Sequence, residues 1–183
     1  MMGRLVILSG PSGVGKDTVI DAWKQRNPNV ERVVAYTTRA PRTGEVDGVD
    51  YHFVTVPSFQ SLVEQGAFLE HKEVHGNFYA TPLHDMDAML AAGKIAILKI
   101  DVQGALTAMD LRPDALPIFL MPPSEAELER RIHSRGTDDA ATIEKRLRNA
   151  REEMAERHRY RHCVVNEDLG QTVDSLESLV TGD

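Results

Sequence analysis

Cysteine is nearly absent from this chain of 183 residues. Cys163 is its one thiol, so no disulfide can close within the chain, and a reducing cytosol is its natural setting. Cys163 stands in the apolar run Cys163-Val164-Val165, which predicts a buried thiol. Long apolar runs are missing as well. Nothing approaches the roughly 20 residues a bilayer-spanning helix requires, so the sequence gives no membrane role. The opening stretch from Met1 to Leu8 has the faint outline of a leader. Its apolar part is four residues, Leu5-Val6-Ile7-Leu8, and runs directly into a glycine loop, which predicts a buried strand instead. Positive charge is also in deficit. A net charge of −7 argues against non-specific nucleic-acid binding, while local arginine clusters leave room for a small polyanionic ligand.

What is present is ordinary for a globular protein: 42% apolar and 27% charged residues, and enough length for one full hydrophobic core. Apolar runs at Arg4–Ser9, Arg32–Tyr36, Ile95–Ile100, Leu116–Leu120 and Cys163–Asn166 read as strands. Helical patterns cover Lys16–Gln25, Leu83–Ala92, Ala141–His158 and Gln171–Val180, with a capping box, Ser124 and Glu127, opening another. Continuous apolar strands alternating with helices predict an α/β fold with a parallel sheet covered by helices on both faces. Thr37 to Thr81 breaks the rhythm with short strand-like pieces, Tyr51–Val54 and Phe68–Glu73, and turn glycines at 44, 48 and 76. It reads as a small inserted subdomain, residues 37–81, in a single domain whose core is 1–36 and 82–183. Residues from about 130 to 151 are dense in arginine and read as a mobile lid.

The strongest motif is Gly10-Pro11-Ser12-Gly13-Val14-Gly15-Lys16-Asp17-Thr18. It follows a buried strand and opens a helix, the context a phosphate-binding P-loop requires. Glycines let backbone N–H groups turn inward around a phosphate, the helix N-terminus adds a positive dipole end, and Lys16 adds a full charge. The usual pattern has Ser or Thr after the lysine to bind Mg²⁺. Here Asp17 stands there, itself a hard-oxygen ligand, and Thr18 comes one residue late. A P-loop says only that phosphate is bound. The GTPase alternative needs an Asn-Lys-x-Asp stretch, which the chain lacks.

The inserted segment from Tyr36 to Val54, with Thr37-Thr38-Arg39-Ala40-Pro41-Arg42-Thr43-Gly44-Glu45, closely resembles guanylate kinases. The resemblance continues at Phe68-Leu69-Glu70, Gly76 to Thr81, Ile100 to Gly104, Arg131 to Thr137, Lys145-Arg146-Leu147 and Val164 to Asp168, in matching order and spacing. It implies that ATP is the donor, with Mg²⁺, and GMP the acceptor, in the cytoplasm. It implies that Arg39 and Arg42, with Tyr51 and Tyr79, grip the GMP phosphate. Fork-shaped guanidinium groups and neutral hydroxyl donors suit a dianion. Glu70 then reads guanine, because a carboxylate accepts from both N1–H and the exocyclic amine, donors that adenine does not offer on that edge. Thr81 and Asp101 match further guanine-site positions, Arg131, Arg135 and Arg146 the arginines that close on the transferring phosphoryl group, and Asn166 a residue near adenine. Taken alone, Glu70 also reads as an exposed strand residue, Asp101 as a helix cap, and each arginine as a solvated charge.

Three positions depart from the family pattern: Ala35 for a usual Ser, Ala80 for a usual Gly, and Lys99 for the first Asp of Asp-Ile-Asp. Lys99 and Asp101 share one strand face by period-two alternation. That face ends beside the P-loop if the two strands are neighbours, so Asp17 and Lys99 are expected to compensate each other, Asp17 on the metal side and Lys99 holding it or touching phosphate. Independent drift of the two positions is the bland alternative. Two rival functions share the fold. A ribose 1,5-bisphosphate phosphokinase also carries a Gly-Lys-Asp P-loop, but has no use for Arg42, Tyr51 and Glu70. A non-catalytic binding module characteristically loses the P-loop and lid residues, which are present here.

Overall fold

Alternation of apolar side chains along the first strand organises the molecule. In the computed structural model, which describes residues 3–74, 76–134 and 139–182, β1 (Arg4–Ser9) sends Val6 and Leu8 to one face and Leu5 and Ile7 to the other. All four are at most 2% exposed. A strand buried on both faces needs helices on both sides, and the chain supplies them. β1 lies at the centre of a five-stranded parallel sheet in the order β2 (Val30–Arg32), β7 (Ile95–Lys99), β1, β8 (Leu116–Met121), β9 (His162–Val165). One face packs Trp23 and Ile20 of α1 (Lys16–Arg26) and Leu176 of α7 (Leu169–Thr181). The other packs Met86 of α3 (Leu83–Ala91), Val102 and Ala105 of α4 (Val102–Leu111), and Tyr160. The expected fold class is the one observed.

Residues between β2 and α3 build a second sheet of four strands, in the order β4 (His52–Phe53), β3 (Tyr36–Thr37), β6 (Asn77–Pro82), β5 (Phe68–Val74). It has its own aromatic packing. Phe59 of α2 (Val56–Glu64) is 1% exposed and meets Phe68 at 5.1 Å and Phe78 at 5.5 Å between ring centroids. Two further helices, α5 (Glu125–His133) and α6 (Ala140–Ala155), pack on each other through Leu128, Ile132, Leu147 and Ala150. A single 3₁₀ turn, Glu156–Arg159, extends the latter. No described helix is long and apolar enough to cross a membrane.

Two helices go beyond the sequence pattern. α2 begins at the Thr55 cap and admits a proline in its first turn, where no N–H is needed. α4 carries Gly104 in its first turn and is capped by Asp101, whose side chain accepts from the Gly104 N–H at 2.7 Å. The strand expected over Arg32–Tyr36 is two strands in different sheets, broken between Arg32 and Tyr36. Ser124 caps α5 as expected, but Glu127 turns to Arg130 and Arg131 rather than back to the cap. Cys163 is exposed, not buried. It lies on the edge strand β9, which turns Val164 inward and leaves Cys163 and Val165 on its open face.

Candidate active site

The P-loop leaves the C-terminal end of β1 and runs into α1. Gly13 and Gly15 hold φ of 87° and 97°, left-handed values that side chains disfavour. A Cβ on Gly15 would also lie 2.9 Å from Asn166 Nδ2. Lys16 folds over its own loop, donating to the carbonyls of Gly10 and Pro11 at 2.5 and 3.2 Å. Enclosure by protein lowers its ammonium to about 8, with Glu153 opposing and Lys99 assisting that shift. Three of the expected residues converge on this loop. Arg131 of α5 donates to the Val14 carbonyl at 3.2 Å and to the Asn166 carbonyl at 3.3 Å. Arg146 of α6 reaches Ser12 Oγ at 3.2 Å. Asn166 Nδ2 donates to the Val14 carbonyl at 2.8 Å. Asp17 and Thr18 are exposed on the first turn of α1. Arg135 lies outside the described residues.

Beside the loop opens a cleft of about 260 Å³, because β7 is the neighbour of β1. Ser9 Oγ donates to the Ile100 carbonyl at 2.9 Å, tying the two strand ends together. Tyr51, Glu70, Tyr79, Thr81 and Asp101 all line this cleft, as do Ala35, Ala80 and Lys99. Glu70 and Thr81 face each other across β5 and β6. The Thr81 hydroxyl donates to Glu70 Oε1 at 2.7 Å, and the Thr81 backbone N–H supports the same carboxylate. Glu70 is 8% exposed, and a carboxylate taken from water is costly to bury. Burial accordingly raises its pKa, against the bond from Thr81. Gly104 makes this possible, since a Cβ there would sit 3.2 Å from Glu70 Oε2. Tyr51 and Tyr79 pack edge to face at 6.0 Å. Arg39 stands 5.5 Å over the Tyr51 ring, its fork engaged by Glu45 at 2.9 and 3.0 Å. Arg42 is exposed on the adjoining loop and does not line the cleft; its backbone N–H donates to the same Glu45.

The family model described as guanylate kinase matches residues 2–182. The chain belongs to the guanylate kinase family. A guanylate kinase of Ruegeria sp. is 45% identical over 181 residues, covering 98% of this chain and 83% of the relative. One of Aromatoleum aromaticum is 44% identical over 180 residues, covering 98% and 88%. Among solved structures, the guanylate kinase of Anaplasma phagocytophilum superposes with a TM-score of 0.79 at 34% identity, covering 99% of this chain and 86% of that one.

Within this guanylate kinase fold, the seam between P-loop and cleft carries charges of its own. Lys99 Nζ donates to Asp17 Oδ1 at 2.6 Å, and Arg32 approaches the same oxygen at 3.3 Å. Burial works against the charged form of Asp17, but Lys99, by charge and hydrogen bond, and Arg32 outweigh it and hold the carboxyl below its usual range. Burial and the repulsion of Arg32 push the Lys99 ammonium down. Arg32 also donates to the Asp50 carbonyl at 2.8 Å, while its buried Nε has no hydrogen-bond partner among the described residues. Arg32 was legible in the sequence only as the start of a strand. Glu153 is a second residue that sequence reasoning passed over; its carboxylate accepts from the Ser12 N–H at 3.2 Å. A signal for it existed. Seven residues separate Arg146 from Glu153, two helical turns on one face, and both reach Ser12.

Proposed function

We propose that this chain transfers the γ-phosphoryl group of ATP to GMP, giving ADP and GDP, in the cytoplasm. The observation that carries this reading is the buried Glu70 carboxylate, held by Thr81 on the wall of a cleft that Lys99 links to the P-loop helix through Asp17. Guanine supplies two further donors to such a carboxylate, and adenine offers no such pair on that edge. Thr81 fixes the Glu70 rotamer, and Asp101 stands on the same cleft wall. Arg39 and Arg42, with the Tyr51 and Tyr79 hydroxyls, take the GMP phosphate; Arg39 exchanges Glu45 for it. At the other end the backbone of Gly10-Pro11-Ser12-Gly13-Val14-Gly15, with Thr18 on the first helical turn, cradles the ATP phosphates. Lys16 leaves its own loop carbonyls for them, and Asn166 stands by the adenine.

An oxygen of the GMP phosphate attacks the γ-phosphorus, and the bond to the ADP oxygen breaks. Such a transfer asks the protein for alignment and charge neutralisation rather than covalent chemistry. Lys16, Arg131, Arg135 and Arg146 supply the positive charge. Mg²⁺ bound with the ATP phosphates would add further charge neutralisation. The described residues hold no ready-made cluster of acidic or His ligands. An ion held mainly by substrate phosphates needs only one or two carboxylates from the protein, and Asp17 would be one of them. A coupled assay with ATP against GMP, AMP and ribose 1,5-bisphosphate tests the reading; it fails if GMP is not the preferred acceptor.

A further inference from the structure

The seam between the two substrate sites carries two cations on one carboxylate. Lys99 and Arg32 both meet Asp17 Oδ1, which leaves one positive charge over. Lys99 is little exposed, with 15% of its side chain accessible, and it lines the cleft together with Tyr51, Tyr79 and Glu70. It stands at the last position of β7, opposite Leu8 of β1, so its stem is fixed by the central sheet. Arg32 is anchored elsewhere through the Asp50 carbonyl, so Asp17 keeps a counter-ion if Lys99 turns away. The family pattern has an acidic residue in place of Lys99, so the family's own phosphate grip does not include it.

We propose that Lys99 is a further ligand of the acceptor's phosphate in this chain, held within reach by Asp17 of the P-loop helix. This rests on GMP being the acceptor. The Lys99 ammonium shares the cleft with the two tyrosines assigned to that phosphate, while Lys16 already serves the donor side. Since Asp17 belongs to the donor loop and Lys99 to the acceptor cleft, their contact ties the spacing of the two sites together. A phosphate dianion competes with Asp17 for Lys99, and the arriving nucleotide draws the ammonium from one anion to the other.

Equilibrium titration without ATP or metal tests this, with GMP and guanosine as separate ligands and Lys99→Met and Lys99→Arg as variants. Lys99→Met keeps the stem and removes the charge. It is expected to weaken GMP binding by about tenfold or more, the scale of a charge-assisted hydrogen bond, with guanosine binding unchanged. Lys99→Arg is expected to retain most of the GMP affinity. Undiminished GMP binding by Lys99→Met overturns the proposal. Equal weakening for GMP and guanosine overturns it too, by making Lys99 a prop of the cleft wall. A wild-type chain that prefers AMP to GMP overturns the acceptor assignment itself and the proposal with it, an outcome the variants do not mimic.

Discussion

Replacing Glu70 with Gln should make the protein more stable and a worse kinase at once. In the folded chain Glu70 is buried and its Oε1 accepts from the Thr81 hydroxyl. The Gln carbonyl can keep that bond, which turns the amide NH₂ toward the guanine donors. One charge-assisted bond is lost, and the other becomes a donor facing a donor. Bonds to a charged group contribute about 1.5–3 kcal/mol each, so a loss of about 3 kcal/mol is expected, roughly 10²-fold in kcat/KM for GMP. AMP, which never made those bonds, should change little. Stability moves the other way. Burial raises the Glu70 pKa, so the folded chain binds this proton more tightly than the unfolded chain does. The stability that protonation confers is complete below the ordinary carboxylate range and is lost as pH rises through the raised folded value. Gln never ionises and escapes that loss. Melting curves of the two proteins should therefore be closest near about pH 4 and diverge toward neutrality in favour of Glu70→Gln. Each kcal/mol of relief would appear as about 2–4 °C in Tm. Equal losses for GMP and AMP, or a Gln variant less stable at neutral pH, would refute this account of Glu70.

Lys16→Met should abolish most turnover with little change in Tm, because the ammonium's hydrogen bonds among the described residues go to carbonyls of its own loop; near-wild-type turnover would remove the P-loop assignment. Gly104→Ala places a methyl 3.1 Å from Asp101 Oδ1 and 3.2 Å from Glu70 Oε2. Helix propensity returns roughly 0.5–1 kcal/mol, so the variant should melt near the wild type while its KM for GMP rises about fivefold or more; an unchanged KM would show that the cleft wall yields. For Asp17 and Lys99, thermal unfolding of Asp17→Ser, Lys99→Asp and the double variant should be non-additive by about 1 kcal/mol or more. Lys99→Asp alone sets like charges together, and Asp17→Ser removes that conflict. Additive effects would contradict the 2.6 Å contact.

The parallel sheet was readable because β1, β7 and β8 are buried on both faces through their middles and so carry continuous apolar runs there. The P-loop was readable because its backbone demands particular residues. The cleft was readable only through resemblance: Glu70, Tyr79 and Thr81 sit on short strands whose meaning depends on pairing across β5 and β6, which no local pattern encodes. The Asp17–Lys99 contact was inferable from alternation and strand adjacency, two rules that act at a distance. Arg32 was not. Its approach to Asp17 depends on where the chain leaves one sheet for the other, a tertiary choice. Cys163 misled because a short apolar run looks the same on an edge strand as at the centre of a sheet.

Asp101 has one further consequence. The same carboxylate that lines the cleft caps α4 and holds the Gly104 amide, and α4 packs against strands of both sheets. A ligand that draws on Asp101 therefore loosens the first turn of that helix. The Gly104 amide becomes a native reporter of occupancy: its NMR shift and its deuterium exchange register whether the cleft is filled, with no label attached to the nucleotide.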